Sequence, residues 1–489
     1  MSAGEALKKN IGFWSATAIV IGSIIGSGVF MKPATMAAQT ASPIWLLLIW
    51  VIAGLFSLFG ALINAEVGAM FPKSGGHYVY LKYMYNDLFG FLYGWAAFAV
   101  INTAAVASIS FVCAQYADYF LHLPRFSSET EKSLVLPLPF IGKLYPLANF
   151  GVKLLAIALT SGITFINYRS AKAGTRLQVV TTIIKLVVIG ALIFGIFFSG
   201  NGSVENFWTP SSNPKQSWQL LGGLIAALTG AFMAYDGWIN VNFVAGEIKE
   251  PNKNIPRSLL IGVFVCMIVY VLVNQAYLYV LPVDQMAGSS LVASDAIAIA
   301  LGKTSGAIVA ALIVICTFGA VNGNILASAR VTYAMGSDRL FFSWTGKTHS
   351  KYKTPGNALW LHGIWTIVLI LSGSFDMLAD MFTFIAWVVY LFGAIGIIIL
   401  RKKYPDLPRP YKVWGYPFVP ILFIAFASFY VVSTVWNDTI SFINGDVPVI
   451  NSVLGLLITV LGIPLYYFFR AKHGSRVDKV DKVDRVDKS

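Results

Sequence analysis

Ile21-Gly22-Ser23-Ile24-Ile25-Gly26-Ser27-Gly28-Val29-Phe30 puts three glycines and two serines inside an apolar run long enough to cross a bilayer. The chemistry this run can offer comes from its backbone. A helix built only to span lipid would carry Leu, Ile and Val here. Small residues let the chain leave helical geometry and expose N–H and C=O groups, which survive at membrane depth only where they line a cavity or are buried in protein. A first half-helix ending near Ile21 to Ile24 would leave carbonyls with partial negative charge. A second half-helix beginning near Ser27 would offer the amides of Ser27, Gly28 and Val29, which suit an anion. Carbonyls for an ammonium and amides for a carboxylate would then stand about one α-amino acid head group apart, with Gly26 keeping side chains out of the approach. The competing reading is that Gly22-x-x-x-Gly26 is only a helix-packing motif.

A second interruption strengthens the first reading. Thr229-Gly230-Ala231-Phe232-Met233-Ala234-Tyr235-Asp236-Gly237-Trp238 places small, polar and acidic residues in the middle of another apolar run. A carboxylate at that depth costs roughly 2.5–3.5 kcal/mol on insertion scales, so Asp236 needs a partner. It either meets a ligand cation or caps the second half of a broken helix. Phe232, Met233 and Tyr235 are large side chains beside the break and candidates for a gate; the alternative is that they face lipid or core. Lys185 lies too far beyond Arg176 for snorkelling to explain it. Its ammonium could tether its span to carbonyls of the broken first one. Glu66 and Glu247, near the ends of spans, read as gate or loop partners of basic residues.

These residues need a membrane scaffold, and the composition supplies one. Of 489 residues, 57% are apolar and only 12% charged, far fewer charges than a soluble chain of this size carries. Hydropathy predicts twelve spans, near 12–40, 42–69, 88–121, 146–168, 176–199, 219–247, 257–281, 304–330, 357–374, 377–400, 417–437 and 448–469. The first is too long for a signal peptide. With the N-terminus in the cytoplasm, 27 of the 35 Lys and Arg fall on the cytoplasmic side, 6 outside, and Lys32 and Lys185 within spans. That bias predicts both termini in the cytoplasm and an even number of spans. The net charge of +13 thus reports topology, and no nucleic-acid partner is expected.

The interruptions fall in the first and sixth spans, five apart, as two inverted five-span repeats would place them. The expected division is 1–10, a cytoplasmic N-terminus; 11–200, the first repeat; 201–403, the second; 404–470, the last two spans; and 471–489, a disordered charged cytoplasmic tail. Cys113, Cys266 and Cys316 all lie within spans, none in an outside loop. The five histidines show no metal-ligand spacing, and no cofactor is expected. An ion channel would need a repeated filter or charge ring, and an enzyme a nucleophile–base pair or metal ligands; neither is visible.

The sequence resembles the amino acid–polyamine–organocation superfamily, L-type amino acid transporter branch. Gly22 to Phe30 is similar to its first-span signature, and Phe232 to Trp238 with Asn242-Phe-Val-Ala-Gly-Glu-Ile-Lys-Glu-Pro-Asn-Lys-Asn-Ile-Pro-Arg257 to its sixth span and following loop. Lys73-Ser-Gly-Gly-His-Tyr, Thr175-Arg-Leu-Gln with Lys185-Leu, Phe318-Gly-Ala-Val-Asn-Gly-Asn and Arg401-Lys-Lys-Tyr-Pro-Asp-Leu-Pro-Arg-Pro follow in order. The resemblance implies an all-α, leucine-transporter-type fold of twelve spans in the plasma (inner) membrane. It implies sodium-independent transport of L-amino acids by alternating access, with exchange of neutral amino acids foremost. Proton-coupled symport and cationic amino acid transport are alternatives, and a membrane sensor a remote one. A substrate carboxylate would meet the amides of Ser27 and Gly28, and its ammonium the carbonyls of Ile24, Met233 and Asp236. Lys185 matches the fifth-span lysine that bridges toward the first span. The gating position aligns with Met233, flanked by Phe232 and Tyr235, and Asp236 stands where animal relatives carry glycine. Spans three, eight and ten would supply the side-chain pocket, around Asn102, Asn322 and Trp387. Animal members join a glycoprotein subunit through a cysteine between spans three and four. Residues 122–148 contain none, so a bacterial member without a disulfide-linked subunit is expected.

Overall fold

A computed structural model describes residues 11–71, 76–215 and 217–472, with all their side chains except those of 171–179 and 243–247. Lys8, Lys9, Lys73, the Glu247 side chain and the charged tail from 473 onward lie outside the described residues.

The first span is two helices, α1 (Phe13–Ile24) and α2 (Gly28–Thr40), bent by 44° across a three-residue break. The Ile25 amide closes α1 on the Ile21 carbonyl at 2.9 Å. There follow α3 (Pro43–Met70), the short α4 (His77–Met84), α5 (Asp87–Leu121, with a π-helical turn at Ala97–Ile101), α6 (Phe150–Arg169), α7 (Ala171–Phe197) and α8 (Ser217–Tyr235). After Tyr235 the α-helix stops. A turn at Asp236–Gly237 leads into a 3₁₀ segment, Trp238–Glu247. Then come α9 (Pro251–Val280), α10 (Val292–Leu301), α11 (Lys303–Ser337), α12 (Gly356–Ser372), α13 (Phe375–Lys403), α14 (Phe418–Ile443) and α15 (Asn451–Lys472).

Among the described residues ten helices are long and apolar enough to cross a bilayer, and the bent α1–α2 pair makes an eleventh. The segment expected as the ninth span is α12, an apolar helix of 17 residues, shorter than the about 20 that a span ordinarily takes. The protein is therefore a helical multi-span membrane protein of ten to eleven long spans.

The strongest packing is between helices distant in sequence: α3 on α9, α5 on α11, α7 on α11, and α2 on α8. This brings the two interrupted spans side by side in the centre, where Val20, Ile24, Val29, Phe30, Ala231 and Ala234 are all buried. Outward-facing Leu, Ile, Phe and Val on the other helices, such as Val187, Phe264 and Val432, remain exposed, as a lipid-facing surface requires. Between α5 and α6 a two-stranded hairpin, Leu136–Leu138 with Gly142–Leu144, leans on the α14–α15 loop through the Lys143 amide to Pro448 carbonyl bond at 2.9 Å.

Candidate functional site

The two breaks meet. Gly28 opens α2 directly against α8: a Cβ at this position would lie 2.7 Å from both Cα and Cβ of Ala234. Gly237 adopts φ +109°, and a Cβ there would lie 2.5 Å from the Ser23 carbonyl oxygen. Only glycine tolerates that backbone conformation together with that approach.

A cavity of about 310 Å³ lies where they meet. Ile24, Gly26, Ser27 and Gly28 line one wall, and Met233, Ala234, Asp236 and Gly237 another. The amides of Gly28 and Val29 belong to the first turn of α2 and have no intrahelical acceptor. Ser27 is buried, and its hydroxyl has no hydrogen-bond partner among the described residues. Exposed amides plus an unpaired hydroxyl suit a carboxylate, and the carbonyl end of α1 a few residues away suits an ammonium.

Two side chains from neighbouring helices hold the unwound backbone in place. Lys185 on α7 donates to the Gly22 carbonyl at 3.3 Å and to the Ile25 carbonyl, so the ammonium takes up acceptors that the end of α1 leaves free. On α9, the Tyr270 hydroxyl lies 2.9 Å from the Ile24 carbonyl and 2.7 Å from the Ala234 carbonyl, its one proton bridging both broken helices. Tyr270 carries no motif; only the helix packing reveals it.

Asp236 is partly buried on the cavity wall. Its Oδ1 accepts from the Tyr390 hydroxyl at 2.5 Å, and the Gly237 amide also donates to the carboxylate. The amide bond is the capping reading in part; Tyr390, from α13, is a partner that the sequence does not indicate. Asn102 also lines the cavity, whereas Phe232, Tyr235, Asn322 and Trp387 lie off it. Phe232 packs against Trp387 with ring centroids 3.8 Å apart and planes tilted by 38°, and Tyr430 closes the same aromatic cluster. The Tyr235 hydroxyl donates to the Trp50 carbonyl at 3.0 Å. Asn322 accepts from Asn167 at 2.8 Å. Asn324, two residues on and so about 200° round the helix, faces the cavity instead, as does Ala386 beside Trp387. Tyr93, Phe382 and Arg330 complete the wall in places where no sequence signal stood out.

Glu66, expected to meet basic residues near the end of its span, is buried and held by a two-bond fork from Nε and Nη2 of Arg401, with the Val413 amide donating at 2.7 Å.

The amino acid permease family profile matches residues 11–463. Over 472 residues the chain is 32% identical to human large neutral amino acids transporter small subunit 2, covering 95% of this chain and 81% of that protein. It is 30% identical to the serine/threonine exchanger SteT of Bacillus subtilis over 474 residues, 96% of this chain and 99% of SteT. It is 29% identical to mouse b(0,+)-type amino acid transporter 1 over 470 residues, 95% of this chain and 88% of that protein. Family and relatives are transporters, not enzymes. A cavity built from main-chain groups at two interrupted spans and a family match running almost end to end agree: the chain belongs to the amino acid permease family of the amino acid–polyamine–organocation superfamily.

Proposed function

We propose that the chain exchanges neutral L-amino acids across the plasma membrane by alternating access, without sodium. The observation that carries this is the central cavity, where α1, α2 and α8 present carbonyls and amides to the same space. Main-chain recognition of carboxylate and ammonium is indifferent to the side chain, so the wall around Asn102, Asn324 and Ala386 sorts substrates. The substrate carboxylate sits at the amides of Ser27 and Gly28 and the ammonium at the carbonyls of Ile24, Met233 and Asp236. Lys185 fills, between α1 and α7, a place that a metal ion could otherwise take, which supports independence of sodium. Asp236 on the wall favours a second reading, carriage of cationic amino acids.

In this reading α12 counts as a span, giving twelve. Spans two and seven, three and eight, and one and six pack as pairs, which supports inverted repeats at 11–200 and 201–403, followed by two further spans at 404–470. Both termini are cytoplasmic, on the strength of the basic-residue bias. The three cysteines are buried and unpaired and loop 122–148 has none, so the chain works without a disulfide-linked glycoprotein subunit.

Purified protein in proteoliposomes tests this by counterflow of labelled alanine, leucine, serine, lysine and arginine. Neutral amino acids entering only vesicles loaded with an unlabelled neutral amino acid, unchanged when sodium is replaced by choline, is the expected result. Uptake into empty vesicles driven by an imposed pH gradient would replace exchange with proton symport, and lysine and arginine outpacing the neutral set would give the cationic reading.

A further inference from the structure

Above the central cavity lies a second chamber of about 430 Å³, on the face carrying loop 122–148. The two chambers share no lining residue, yet α5 and α13 line both. On α5 the central cavity takes Ile101 to Ile109 and the upper chamber Phe111 and Gln115; on α13 they take Phe382 to Tyr390 and Phe375 to Asp380. Along both helices the two chambers therefore lie end to end.

Lys32 sits at the level where they adjoin. It is on α2, one turn past the exposed amides, and is 2% exposed. Its Nζ donates to Asp376 at 2.8 Å and to Asp380 at 3.0 Å, both on the first turns of α13, and lies 5.1 Å from the Phe375 ring centre. Asp376 and Asp380 line the upper chamber, and Asp376 is half exposed to it. Nothing in the substrate site uses these three charges. A buried ammonium so placed closes two helices firmly while paired, yet leaves groups that water can satisfy once the helices part.

We propose that Lys32, Asp376 and Asp380 form an ionic latch that holds α2 against α13 and shuts the central cavity off from the upper chamber. Opening to that side swings α2 from α13, exposes Lys32 to the chamber, and leaves the carboxylates hydrated there. Release of the latch is a step of transport, and its strength sets how the protein divides its time between the two openings. This rests on the transport reading and on the orientation given above.

The test is labelling, which needs no knowledge of the substrate. Ala386→Cys puts a thiol on the central cavity, and a membrane-impermeant maleimide is applied to sealed vesicles from each side in turn; the parent chain corrects for Cys113, Cys266 and Cys316. The latch predicts that Lys32→Gln raises labelling from the loop 122–148 side about tenfold and lowers it from the opposite side. Asp376→Asn, which leaves Lys32 its Asp380 partner, gives a smaller rise. The exchanged pair Lys32→Asp with Asp380→Lys returns labelling toward the parent. If Lys32→Gln does not fold, the Asp376→Asn result decides. Unchanged labelling from both sides in a folded variant overturns the latch, whatever the transport assay shows. Labelling that rises from the opposite side alone overturns the placement of the latch and the upper chamber.

Discussion

Two lysines are buried along the interrupted first span, and they are held by opposite kinds of partner. Lys185 reaches in from α7 to main-chain carbonyls, those of Gly22 and Ile25. Lys32 reaches out from α2 to two carboxylates on α13. The carbonyls exist only because α1 ends there, so the Lys185 contacts depend on the shape of the break and also maintain it. The Lys32 contacts join two helices that each keep their own hydrogen bonding, so they can be lost without unwinding anything. Buried cations of the same type thus serve at mid-depth as a strut and above it as a detachable clasp.

The largest effect that distinguishes them is at the strut. Lys185→Met leaves two buried carbonyls without a donor, at a cost of about 1–3 kcal/mol each, and lets α1 shift relative to α7. Counterflow is expected to fall at least about hundredfold in both directions, with a lower melting temperature in detergent. Lys32→Met should keep measurable transport with altered sidedness. Equal, modest losses for both variants would erase the distinction between them.

Next are two glycines in the same break. Gly28→Ala pushes a methyl into Ala234 at 2.7 Å, an overpacking worth about 1–3 kcal/mol, and should lower both stability and transport about tenfold. Gly26→Ala meets only the Ile24 carbonyl oxygen at 3.7 Å, so it should fold with an unchanged melting temperature. Its methyl nevertheless projects at the ligand approach, so substrate KM should rise. Thermal melting beside transport kinetics separates the two; a destabilised Gly26→Ala would mean that the residue serves packing alone.

That contrast also shows what a sequence of this kind can reveal. The breaks were legible because glycine and serine in an apolar run contradict the composition that lipid asks for, and Lys185 because a lone charge at depth contradicts it too. Which face a residue occupies was not legible. Membrane helices are apolar all round, so the polar–apolar stripe that sets the register of a soluble helix is missing; Asn322 and Asn324, or Trp387 and Ala386, cannot be ranked without neighbours. Tyr270 and Tyr390 look like any tyrosine in a span. Asp376 looks like an ordinary helix-start acid behind Ser374, whose hydroxyl accepts from the Met377 amide at 3.3 Å; its bond to Lys32 spans 344 residues. Span count was legible except at α12, where 17 residues leave length undecided.

A smaller effect is expected at Tyr270, which supports the breaks with one neutral hydroxyl where Lys185 supplies a charge. Tyr270→Phe keeps the ring and its packing on Trp50 and Tyr235 but removes the proton shared by the Ile24 and Ala234 carbonyls. A neutral hydrogen bond contributes about 1 kcal/mol net, so transport should fall roughly fivefold, measured as the initial counterflow rate. A loss matching that of Lys185→Met would show that the bridge between the two breaks matters as much as the tether to α7.

The smallest effect on neutral substrates belongs to Asp236→Asn. The amide oxygen of asparagine can still accept from Tyr390 and from the Gly237 amide, so the turn should keep its shape, and alanine counterflow should change by no more than about twofold. What changes is the charge on the cavity wall. If the carboxylate reads a cationic side chain, lysine and arginine counterflow should fall at least about tenfold while alanine holds, since a charge-assisted hydrogen bond is about twice as strong as a neutral one. If it serves the turn alone, all substrates change together. The ratio of lysine to alanine rates in parent and variant, measured in one preparation, cancels differences in protein amount and reads that choice directly.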